Sequence, residues 1–153
     1  LPTKTHDFQE SFLISFDNLD HNSVSMIWNW GNTQISTPIQ FDTKSIMQRQ
    51  IDKELSKTPT PQTFYEAARY YQEQGIYLIK ALSYVDLAIE KGGDTYYYHR
   101  VRSLILADLN RYAEAIKEAK LSLKLAKKED KDEFVRLNED NIRKWKTQLS
   151  QNK

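Results

Sequence analysis

Small residues recur at a fixed spacing in the second half of the chain, and this repetition limits its folding more than any other feature. Ala68, Tyr71 and Gly75 are followed 35 residues later by Ser103, Leu106 and Asn110. Ala81, Val85 and Ala88 are followed 34 residues later by Ala115, Ala119 and Ser122. The one-residue difference falls in the loop after Gly75. A period in this range marks stacked supersecondary units, each too small to bury its own apolar face. Where two helices of a unit touch, a small side chain lets the backbones approach. Ala68, Ala81 and Ala88 therefore mark the contact within a first hairpin, and Ser103, Ala115 and Ser122 that within a second.

The punctuation supports this division. Asp42-Thr43 caps a helix running to about Lys57, with Ile46, Met47, Ile51 and Leu55 along one stripe. Lys57-Thr58-Pro59-Thr60-Pro61 breaks it, because proline disfavours helix in the residue before it. Thr60 is then an N-cap and Pro61 a first helical residue. The repeats span about 61–94 and 96–129, with Gly92-Gly93-Asp94-Thr95 ending one helix and capping the next. A last helix, about 131–149, is predicted to start near Asp130 with Glu133 as its capping-box partner. Its apolar stripe is Phe134, Leu137, Ile142, Trp145 and Leu149, which suits the covering helix of such an array. Helical residues thus fill 44–153, in about six helices.

Residues 1–43 have a different period. Phe8, Phe12, Ile14 and Phe16 predict a half-buried strand, interrupted by Glu10. Asp17–Asn22 is a turn cluster. Val24, Met26, Trp28 and Trp30 predict a second strand, Gly31-Asn32 a two-residue hairpin loop, and Ile35, Thr37, Ile39 and Phe41 a third strand. Pro38 marks an edge or a bulge in it. The charge changes at the same boundary: residues 1–43 carry one Lys against five acids, net −4, leaving +5 for the remainder of a chain whose total is +1. The expected fold class is therefore α+β, a small antiparallel β-meander, part of a β-sandwich, followed by the helical array. So small a sheet cannot hide an aromatic face by itself. Trp28 and Trp30 are expected to be buried, under the Ile46–Leu55 helix and against a second copy of the chain or a detached N-terminal β portion.

The helical repeat resembles the tetratricopeptide repeat. Phe64 and Tyr71 match the large residues of its first helix, and Gly75 and Asn110 its turn; His99 and Arg102 depart from it, standing where apolar residues belong. The resemblance implies a concave groove lined by the first helix of each hairpin. Carried over by position, that groove holds Tyr65, Arg69, Gln72 and Glu73 beside Tyr97, Arg100, Leu104 and Asp108. Two arginines with two tyrosines suit an acidic or aromatic peptide. The Lys/Asn clamp that some members use for a terminal carboxylate is not reproduced. The competing possibility is that these side chains pack against the β segment and leave no groove.

No signature of catalysis is present. The chain has no cysteine, which removes thiolate chemistry and disulfides. His6, His21 and His99 have no metal-ligand spacing, and the Asp17–Asn22 turn lacks the ligands of a calcium loop. GxSxG, Walker A and dinucleotide motifs do not occur. A net charge of +1 does not fit a dedicated nucleic-acid binder, and no apolar run approaches the roughly 20 residues of a membrane helix. Lys117, Lys120, Lys124, Lys127 and Lys128 are interspersed with acids and read as a solvated face. Among Tyr96, Tyr97 and Tyr98, helical spacing puts one or two in the core.

Over nearly its whole length the chain is similar to the C-terminal half of a bacterial domain-of-unknown-function family, in which a β-sandwich precedes tetratricopeptide-like helices. The likeness lies in ESFLISFDNL (10–19), the Trp28–Trp30 strand running into TPIQFDT (37–43), YYQEQG, KALSYVDLAIEKG and EFVRLNEDNIRKW. It implies an extracytoplasmic protein, a longer N-terminal part containing more strands, and no assigned activity. The sequence thus reads as a cofactor-free, non-enzymatic module for protein or peptide partners. The alternative is a β-sandwich binding a glycan or peptide, braced by the helices.

Overall fold

The computed structural model describes residues 3–20 and 22–151; His21 and the His6 side chain, both weighed above as ligands, lie outside the described residues. The fold is α+β, an antiparallel sheet followed by six helices among the described residues. Residues up to Gln50 form one compact unit and residues from Ile51 another.

In the first unit β1 (Thr3–Asp17) pairs antiparallel with β2 (Ser23–Gln40). The sheet has two strands, because the segments expected as second and third strands are one. Gly31 does take the positive φ that a tight loop needs, +58°. It spends that freedom on an irregularity in a continuous strand. Gly31 pairs with Gln9, and on each side β1 uses four residues where β2 uses two. The mismatch is a bulge in β1, and a residue at φ > 0 lets β2 follow it. Ile14 pairs with Trp28 and Phe16 with Met26, so the expected aromatic face exists. It is not buried as expected: Trp28 and Met26 are half-buried, and Trp30 is 70% exposed. Phe8, Phe12, Ile14 and Phe16 are also exposed. A two-stranded ribbon has no opposing layer to bury such a face against.

The helix α1 (Thr43–Leu55) spans the boundary between the units. Asp42 caps it, accepting from the backbone N–H of Ser45 at 3.1 Å. Its first turns belong to the first unit, whereas Ile51 and Leu55 pack with Phe64, Tyr71 and Val85 in the helical core. This packing moves the division from the expected residue 43 to Gln50.

In the second unit α2 (Pro61–Glu73) packs on α3 (Leu78–Gly92), and α4 (Tyr96–Asp108) on α5 (Tyr112–Lys128). The last helix, α6 (Asp132–Gln151), packs on α5. Thr60 caps α2 in a reciprocal box with Thr63, and the Thr95 hydroxyl accepts from the Tyr98 N–H to cap α4. Ala68, Ala81, Ala88, Ser103, Ala115 and Ser122 are all 0% exposed, as the contact positions require. Gly75 and Asn110 have φ of +63° and +60° and close the same turn. In each, the following N–H reaches five residues back, Ile76 to the Tyr71 carbonyl and Arg111 to that of Leu106. The residue inserted after Gly75 is Tyr77, which takes φ +48° just before α3.

One expected cap is absent. Asp130 does not start α6; it occupies the same left-handed position at the end of α5, with φ +54° and the Lys131 N–H on the Ala126 carbonyl. The first helical bond of α6 runs from Val135 to the Lys131 carbonyl. Acids at 129, 130, 132 and 133 make either role chemically possible, and the need to close α5 decides it.

Ala115→Leu is expected to destabilise the helical unit by about 1–3 kcal/mol, because a 0% exposed methyl leaves no room for an isobutyl group. Thermal unfolding checks it, and an unchanged melt would show that Ala115 is not at a close helix contact.

Candidate functional site

The first helices of the two hairpins present one face each. On α2, Tyr65, Arg69, Gln72 and Glu73 follow at helical spacing; on α4, Tyr97, Arg100, Val101 and Leu104 do the same. These residues and Phe134 of α6 line a cavity of about 290 Å³. Seven of the eight residues carried over from the sequence, Tyr65, Arg69, Gln72, Glu73, Tyr97, Arg100 and Leu104, are therefore brought together. Asp108 is outside the lining, accepting from Gln72 Nε2 at 2.9 Å and so tying α2 to α4.

The aromatic wall is continuous. Tyr65 meets Tyr97 edge-on with ring centroids 5.2 Å apart and Tyr98 at 5.3 Å, while Tyr96 packs on Phe134 at 4.8 Å. Tyr98 is the one ring of its triplet that is buried, with Tyr96 and Tyr97 half-buried. Burial and the hydrogen bond with Tyr97 push the Tyr98 phenol up to about 12. Burial also raises Tyr65, against the opposing charge of Arg69. The Tyr98 and Tyr65 phenols are therefore neutral near neutral pH.

The two arginines differ. Arg69 is exposed and its Nε is 2.6 Å from Glu73 Oε1, an i,i+4 surface pair of modest worth. Arg100 is half-buried, and no carboxylate of the described residues lies within ion-pair distance of it. Its Nη1 donates to Asn138 Oδ1 at 3.3 Å, and its guanidinium lies over the Phe134 ring at 5.9 Å. Burial lowers its pKa, with Tyr65 and Glu133 working the other way. The sequence does not single out Phe134 or Val101 as lining residues, nor Asn138 as the partner of Arg100. Phe134 and Asn138 are four apart on the last helix, whose apolar stripe signals a cover and nothing more.

The second charge cluster, at the departures His99 and Arg102, is closed on itself. His99 is 5% exposed; its Nδ1 is 2.8 Å from Glu118 and its Nε2 3.0 Å from Asp94. Arg102 bridges Asp86 at 2.7 Å and Glu118 at 2.9 Å. Each cation there has carboxylates, so the cluster needs no ligand. The lysine run on α5 is exposed throughout. Among the described residues no group of His, Asp or Glu is arranged to hold a metal ion, and no helix is long and apolar enough to cross a membrane.

No protein-family model, curated protein or solved structure matches the chain.

Proposed function

We propose that the chain is a non-catalytic interaction module whose helical hairpins, of tetratricopeptide type, hold an acidic, aromatic-containing peptide in the groove between α2, α4 and α6. The observation that carries this reading is Arg100. A half-buried guanidinium costs desolvation energy, and the fold gives it only a neutral amide oxygen and a ring face in return. A carboxylate arriving from a partner would complete it, between tyrosines suited to apolar and aromatic side chains. Selection from a displayed random-peptide library tests this. Binders rich in Asp, Glu and aromatic residues are expected, and Arg100→Ala should weaken them about tenfold or more, the range of an arginine hot spot. Arg69→Ala should matter less, since Glu73 already pairs with that charge. A selection that enriches nothing, or binders indifferent to Arg100→Ala, would overturn the proposal.

The exposure of Trp30 favours a second reading, in which the β unit is the binding element and stacks a glycan or peptide on its rings. Quenching of tryptophan fluorescence by soluble glycans would distinguish it.

A further inference from the structure

Asn138 is the unusual residue of α6. It occupies the buried stripe between Phe134 and Ile142 and is 0% exposed, where an aliphatic side chain would pack without any polar requirement. A buried amide is tolerated when its donors and acceptor are used. Its Nδ2 donates to Ser122 Oγ at 2.8 Å, and Ser122 Oγ donates to the Tyr96 carbonyl at 2.6 Å. The direction of this relay fixes the amide. Tyr96 offers only an acceptor, so the Ser122 hydrogen is committed to it and the serine oxygen must accept from Asn138. The NH₂ therefore faces Ser122 and the oxygen faces Arg100. One of the five guanidinium donors is oriented by this contact without being neutralised, and the Phe134 ring backs the group.

We infer that Arg100 is the seat for one side-chain carboxylate, Asp or Glu, of the bound segment, and that Asn138 is its positioning residue, so that α6 is a working wall of the groove. The inference rests on the groove reading above. One charge is specified rather than two because Arg69, the other cation of the lining, is already paired with Glu73. A phosphate dianion would call for a second free cation. The neutrality of the Asn138 acceptor matters here. An aspartate at 138 would hold Arg100 equally well but would cancel the charge that the ligand needs.

The test uses fluorescein-labelled ten-residue peptides, each with one Asp or Glu among apolar and aromatic residues, and copies in which that acid is Asn or Gln. On the native protein the acidic peptides are expected to bind about tenfold tighter than their amide copies, with a preference that shrinks as salt is added. In Asn138→Asp the preference should disappear while the amide copies bind as before. A purely structural role for Asn138 would instead weaken both sets together. Ser122→Ala, which frees the amide to turn, should narrow the preference and serves if the Asp variant does not fold, as circular dichroism would show. Equal binding of both sets by the native protein overturns the carboxylate seat yet leaves peptide binding standing. No binding of either set overturns the groove reading itself. A preference undiminished in Asn138→Asp, or in Ser122→Ala where that variant decides, removes the positioning role.

Discussion

Tyr71→Ala is expected to destabilise the helical unit by about 3–5 kcal/mol, the range for deleting a buried aromatic ring. Whole domains are stable by only about 5–15 kcal/mol, so the variant should unfold at much lower temperature or denaturant. Tyr71 is 0% exposed and is the largest side chain of the core to be so. It stacks on Tyr84 of α3 at 6.1 Å and meets Tyr77 edge-on at 5.5 Å, with Lys80 Nζ 5.8 Å from its ring. The same buried cluster includes Ile51 of α1. Ala68, Ala81 and Val85 of the same core cluster are too short to fill the resulting void by changing rotamer. Tyr71→Phe keeps the ring and should cost far less. Urea unfolding of both variants checks the ranking; equal, small losses would mean that the ring is not central to the core.

The helical unit was legible wherever a local requirement has one chemical answer. Thr60-Pro61 and Thr95 could only begin helices, and alanines and serines at the repeat spacing could only be contact positions. Gly75 and Asn110 shared a left-handed turn because both tolerate positive φ. The same property misled at Gly31-Asn32. A positive φ serves a hairpin loop and a bulge equally, and the choice depends on what β1 places opposite, which is not a local signal. The α2 and α4 residues of the groove were legible only through the resemblance to the tetratricopeptide repeat, which carries over the lining positions of the first helix of each hairpin. The groove's third wall was not, because an apolar stripe defines α6 and Asn138 is polar. The available cue was position: 134, 138, 142, 145 and 149 step by three and four, so a polar residue at 138 had to be buried and bonded.

Near pH 6, Glu118→Ala is expected to cost about 2–4 kcal/mol, because Glu118 is the counter-charge shared by His99 and Arg102. Arg102 would keep Asp86 and His99 would keep Asp94, which holds the cost below that of an isolated buried charge. The same clasp makes stability depend on pH in a defined direction. Burial pulls the His99 pKa down, but the hydrogen bonds and charges of Glu118 and Asp94 outweigh it and the value ends above the ordinary 6.5. Burial raises Glu118, but the His99 hydrogen bond and the charges of Arg102, His99 and Lys117 leave it below the ordinary 4.5. A raised histidine stabilises fully below its unfolded value and is lost as pH climbs through its folded one. A depressed carboxylate stabilises above its unfolded value and is lost as pH falls through its folded one. The contribution is therefore complete between the two ordinary values, 4.5 and 6.5, and declines on either side. His99→Gln keeps a hydrogen-bonding side chain but no titrating charge. Relative to this variant, the native protein should be most favoured between pH 4.5 and 6.5 and lose that advantage as pH rises above 6.5. Urea midpoints of the two proteins within and above that range decide it: a constant difference would show that His99 is held neutral and that the clasp carries no ionic contribution.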